Sequence, residues 1–139
     1  MSLFGTLPIA QTGMDVSQTW LDAIAGNIAN ANDVVRANQP AYQQRFIIAT
    51  PKEPSITPGI VPVGQGVEVA DIVFGSSAGV LEYDPNNPIA NREGLVKYPS
   101  VQLGDQLVQS VMAQTNYQAD VAVANRAKTA YDAALTIGS

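Results

Sequence analysis

Residues 103–138 read LGDQLVQSVMAQTNYQADVAVANRAKTAYDAALTIG, and Pro99-Ser100 stands just ahead of them. No proline interrupts the run, and its glycines are Gly104 near one end and Gly138 at the other. Ala, Gln, Leu and Met keep rotamer freedom in a helix and rarely compete for the backbone hydrogen bonds. Ser100 is placed to cap the start, and Gly138 to stop the end. The pattern predicts one helix of about 36 residues, ~54 Å long. That is about three times the usual length in a globular domain. One small core cannot cover such a helix, so it calls for partners along most of its length.

Two rows of small and apolar residues run down it. Tyr117, Val121, Ala124, Tyr131 and Leu135 form one, interrupted by Lys128. Ala119, Val123, Ala127, Ala130 and Ala134 form the second, beside it. Together they make a sticky face wider than a single coiled-coil seam needs.

The 139 residues suffice for one domain. Seven cationic and twelve acidic side chains, 14% of the chain, give a net charge of −5. Typical soluble domains carry about 25% charged residues. A sparse charge with 46% hydrophobic residues suits a surface that meets protein more than water. The acidic balance and the lack of a basic cluster argue against nucleic acid as a partner. No apolar run reaches the ~18 residues of a membrane span, so no direct membrane insertion is expected. Cysteine and histidine are absent, which removes disulfides, thiol chemistry and Cys/His metal sites. The first ionisable side chain is Asp15 and the first cation Arg36, so the basic start of a secretory signal is missing.

A second helix is expected near the N-terminus, from Thr6 as cap and Pro8 in the first turn to about Asn32. Leu7, Met14, Leu21 and Ile28 occupy one heptad position, and Ala10, Ser17, Ile24 and Ala31 the other. Asn32 reads as a helix stop. Asn27 and Asn30 share a face on an otherwise apolar helix, where their amides can set the register of a helix contact.

The middle of the chain differs. Residues 51–100 hold seven of the nine prolines and six of the eleven glycines. Tyr42–Ala49, Gly59–Val63, Val67–Phe74 and Val80–Tyr83 are short β-type runs. They predict a small irregular sheet or hairpin, which the turn cluster Asp84-Pro85-Asn86-Asn87-Pro88 would end. That cluster lacks the acidic alternation of a calcium loop. Glu68 and Asp71 are the nearest approach to a carboxylate pair, and they lie in a strand-like run where solvated edge charges are usual. Gly64-Gln65-Gly66 is too short to cradle a phosphate. No catalytic set, cofactor site or metal site is expected.

Several segments resemble one family. Gly13-Met14, followed by Leu21-Asp22-Ala23-Ile24-Ala25-Gly26-Asn27-Ile28-Ala29-Asn30-Ala31-Asn32, is similar to the start of bacterial flagellar rod and hook proteins. Pro40-Ala41-Tyr42-Gln43-Gln44-Arg45 resembles the rod proteins' exit into an extended region. Asp84, Pro85, Asn87, Pro88, Ala90, Gly94, Val96, Pro99 and Val101 resemble the segment that marks the FlgC-type proximal-rod branch. Tyr117-Gln118-Ala119, Lys128 and Leu135-Thr136-Ile137-Gly138 resemble its closing helix. Asn87 stands where that pattern has histidine, and Asp120 puts a charge where it has asparagine.

The resemblance to the bacterial flagellar basal-body rod protein family implies a structural protein, not an enzyme. It implies a mainly α fold, in which long terminal helices pair as an α-helical coiled coil around a small irregular β segment. Residues 1–34 and 100–139 would be the tube-forming ends, and residues 35–99 the extended, Pro/Gly-rich part between them. The expected assembly interface is Leu7, Met14, Leu21, Ile24, Asn27, Ile28 and Asn30 with Val108, Val111, Tyr117, Val121, Ala124, Tyr131 and Leu135. The implied partners are copies of the chain, other rod proteins, basal-body proteins at the rod base and the flagellar type III export apparatus. The implied place is the periplasmic part of the basal body. A self-contained helical adaptor or export chaperone is the competing expectation.

Overall fold

A computed structural model describes residues 3–53 and 64–137. The elements are α1 (Leu3–Ala29), β1 (Val35–Arg36), β2 (Arg45–Pro51), β3 (Val67–Phe74), β4 (Val80–Tyr83), β5 (Leu95–Tyr98) and α2 (Leu103–Ile137). The run Gly59–Val63 lies outside the described residues.

The expected fold class needs correction. Two helices make up 49% of the described residues, and about 20% is strand, arranged in two antiparallel sheets. The β part is therefore two defined sheets and not a small irregular region. The helices do not pair as a coiled coil either. They lie side by side and antiparallel, because Asn27 meets Gln106 and Gly13 meets Asp120. The buried row of α1 is small or polar except for Ile24, without a repeating interlock of large residues. Ala10, Ser17, Ile24 and Ala31 are buried, whereas Leu7 is exposed and Met14, Leu21 and Ile28 are half-buried. The heptad row with the bulkier side chains is thus the one left partly open. Small side chains let two helices approach closely, and bulky ones on the flank then have nothing of the same chain to fill against.

The helix ends also differ from expectation. α1 begins by Leu3, so Thr6 does not cap it and Pro8 lies inside it. Proline there removes one N–H from the ladder but leaves the following turns intact. At the other end the backbone tightens: Ala31 N–H reaches the Ile28 carbonyl at 3.2 Å, and the Asn30 amide donates to the Gly26 carbonyl at 2.7 Å. In α2 the Gln106 N–H bonds the Gln102 carbonyl at 3.1 Å, so the first turn hangs from Gln102 and not from Ser100.

β2 and β3 form an antiparallel ribbon running from Arg45 opposite Phe74 to Pro51 opposite Val67. Ile48 faces Asp71 while Ala49 faces Val69, so Ala70 is the extra residue of a bulge that bends the ribbon. The ribbon touches α1. The other sheet has the order β1-β5-β4, all antiparallel. The Asp84–Pro88 cluster does not end the β region. It starts the connection from β4 to β5, which folds on its own amides. Asn87 N–H and its side-chain amide both bond Asp84, and the Asn91 Oδ1 accepts from the N–H groups of Glu93 and Leu95. Gly94 closes the loop at φ 75°, a backbone region that disfavours side chains.

The core is slight. Its buried hydrophobic members are Ala10, Ala23, Ile24, Ala31, Ala41, Val96 and Ala113. Among the described residues, the largest fully buried side chains are Gln106, Val96 and Asn27, so two of the three are amides.

Candidate assembly interface

Asn27 joins three segments. Its Nδ2 donates to the Arg45 carbonyl and to the Gln106 Oε1, each at 3.0 Å. Its Oδ1 accepts the Arg45 N–H at 2.8 Å and the Tyr42 hydroxyl at 3.2 Å. An asparagine amide has two donor hydrogens and two acceptor lone pairs, and all four are used here. One residue of α1 therefore fixes the start of β2 and the first turn of α2. The Arg45 backbone sets which way the Asn27 amide faces, and this in turn aims the Gln106 oxygen at Asn27. The Gln106 Nε2 is left buried without a hydrogen-bond partner among the described residues.

Half the length of α1 away, Gly13 gives α2 room. A Cβ at that position would collide with the Asp120 carboxylate. Beside it the Thr12 hydroxyl accepts the Val67 N–H at 3.1 Å and donates to the Ile9 carbonyl at 2.7 Å, tying β3 to α1. The two anchor points, Asn27 with Gln106 and Gly13 with Asp120, are equally spaced on both helices. Continued in that register, α1 runs out near the level of Ala130. Every residue from Lys128 to Ile137 is exposed.

The expected interface residues divide into two groups. Ile24 (2% exposed) and Asn27 belong to the chain's own interior. Asn30 is half-buried and its amide serves the end of its own helix. Val121 and Ala124 are half-buried on the flank of α2. Leu7, Tyr117, Tyr131 and Leu135 are exposed, and Val108 and Val111 stand out most, at 61% and 63%.

Sequence reasoning missed several neighbours of these last two. Leu103, Leu107 and Met112 are exposed on the same end of α2. Gln106 and Ala113, seven residues apart, mark the face toward α1. Leu107 with Val111, and Val108 with Met112, are pairs one turn apart on the remaining arc. That spacing is visible in the sequence, ahead of the longer Ala and Tyr rows of the same helix. The ribbon adds a second apolar surface, with Phe46, Ile48, Ile72, Val73 and Phe74 all exposed.

Nothing in this arrangement gathers reactive groups. Among the described residues no cluster of three or more Asp, Glu, His or Cys is placed to hold a metal ion. Glu68 lies opposite Thr50 and Asp71 opposite Ile48, with the bulge between them, and Asp71 accepts its neighbour's backbone N–H. No described helix is long and apolar enough to cross a membrane.

No family model matches the chain. Individual relatives do, over nearly the full length of both partners. The chain is 31% identical over 138 residues to the flagellar basal-body rod protein FlgC of Escherichia coli O6:H1, covering 99% of each. It is 31% identical over 149 residues to FlgC of Borreliella burgdorferi, covering 99% of this chain and 98% of that one. The FlgC of Bacillus subtilis is 29% identical over 150 residues, with 99% of each covered. With a scaffold that buries amides and small residues, leaves large apolar ones outside, and keeps step with these relatives from end to end, the chain belongs to the FlgC family of flagellar basal-body rod proteins.

Proposed function

We propose that the chain is a structural subunit of the flagellar rod that polymerises through its terminal helices into a tubular, torque-bearing axle. Residues 1–34 and 100–139 form the tube, and residues 35–99 lie outside it or against the next subunit. Its contacts are copies of itself, other rod proteins and the proteins at the rod base. It reaches the periplasm unfolded through the flagellar type III apparatus.

The observation that carries this reading is the apolar arc of α2. Leu107, Val108, Val111 and Met112 face away from α1 and are each more than half exposed.

The test is Val111→Asp. The side chain is exposed, so the fold and its circular dichroism should persist and export should continue. The variant should be missing from isolated basal bodies, and the cells should not swim. Normal motility would overturn the reading. An adaptor that acts as a separate monomer has no need of this arc, and would tolerate the same change.

A further inference from the structure

We infer that the cavity beside Asp120 receives the guanidinium of Arg126 from a neighbouring copy, so that contact between copies is read by one charge pair as well as by apolar burial. The inference rests on the polymer reading given above. The cavity is about 400 Å³ and lies between α1, α2 and the start of β3. Its walls include Ile9, Val16, Val67 and Ala119, with Asn116 and Asp120 as the polar side chains from α2. Gly13 and Gly66 leave bare backbone on the facing side. The pocket is thus mostly apolar, with Ser17 and Asn116 as neutral polar groups and Asp120 as its one charge, which suits a long side chain with an apolar stem and a cationic head.

The chain supplies no such head to itself. Asp120 is half-buried and no ion pair joins it to a cation among the described residues. α1 contains no lysine or arginine, and α2 has only Arg126 and Lys128. Arg126 is six residues further along, ~9 Å up the axis and on a different side of the helix, so it cannot fold back to Asp120. Lys52 lines a separate cavity with Asp15 and Glu68.

If the helical surfaces of two copies meet, the cation for Asp120 comes from the last third of the other copy's α2. Arg126 is exposed there. A guanidinium matches a carboxylate with two parallel hydrogen bonds and can offer a further N–H to the Asn116 amide oxygen. Copies that each carry −5 repel at a distance, so a local pair of opposite sign also selects the docking direction.

Charge exchange tests this. Asp120→Arg and Arg126→Asp are made singly and together in the full chain, with circular dichroism to follow the fold. Each single variant should lower incorporation into isolated basal bodies by about tenfold or more, and the double variant should recover most of it. Asp120→Asn keeps the shape and removes only the charge, and it too should incorporate poorly. Normal incorporation of either single variant or of Asp120→Asn would overturn the pairing. So would a double variant no better than the singles. These failures would leave the rod reading standing, because that reading is judged separately by Val111→Asp.

Discussion

Asn27 shows how much one side chain can organise. Replacing it by alanine orphans the Gln106 oxygen and both Arg45 backbone groups in a part-buried setting. The expected loss is about 2–4 kcal/mol, read as a lower urea midpoint. Gln106→Leu should cost less, about 1 kcal/mol or under, because it also removes the partnerless buried Nε2, and Asn27 keeps Arg45. Equal losses for the two would contradict the assignment of Asn27 as the hub. Gly94→Ala belongs at this scale too. Its φ of 75° and the Tyr83 ring, 2.7 Å from where a Cβ would sit, should make it cost about 1–3 kcal/mol. The sequence had flagged the Asn27 amide as out of place on an apolar face. It could not name Tyr42 and Arg45 as partners, because hydrogen bonds between distant segments leave no periodicity.

At the scale of elements, the two long helices were legible because composition and missing breakers persist over many turns. The β2 and β3 ribbon was legible for a similar reason, in its runs of Ile, Val and Phe. β1 and β5 were not, since two and four residues carry too little pattern, and both sit among turn residues. The coiled-coil expectation failed because heptad reading assigns the largest residues to the seam. Here the helices approach through Ala10, Ser17 and Ala113. Ala113 is fully buried, so Ala113→Leu should drive the helices apart. A loss of about 1–3 kcal/mol in chemical unfolding is expected. A neutral or stabilising result would mean that the contact has slack.

Across the whole molecule, protection should be uneven. The part of α2 from Tyr131 to Ile137 lies past the level of Leu3, where α1 begins, and each of its residues is exposed. Amide hydrogens there should exchange rapidly in the dilute chain and slowly in assembled basal bodies. Strong protection in the dilute chain would contradict it.

The amide-and-alanine interior has a thermal corollary. The heat-capacity increment of unfolding comes from newly hydrated hydrocarbon and is diminished by newly hydrated polar groups. A described interior of alanines, two amides, Val96 and Ile24 releases little hydrocarbon on melting. Calorimetry on the isolated chain should therefore give an increment below the ~12–15 cal/mol/K per residue of ordinary domains, and a shallow, broad endotherm. The steep endotherm would belong to the polymer, once hydrocarbon left bare in the single chain is shut away between neighbours.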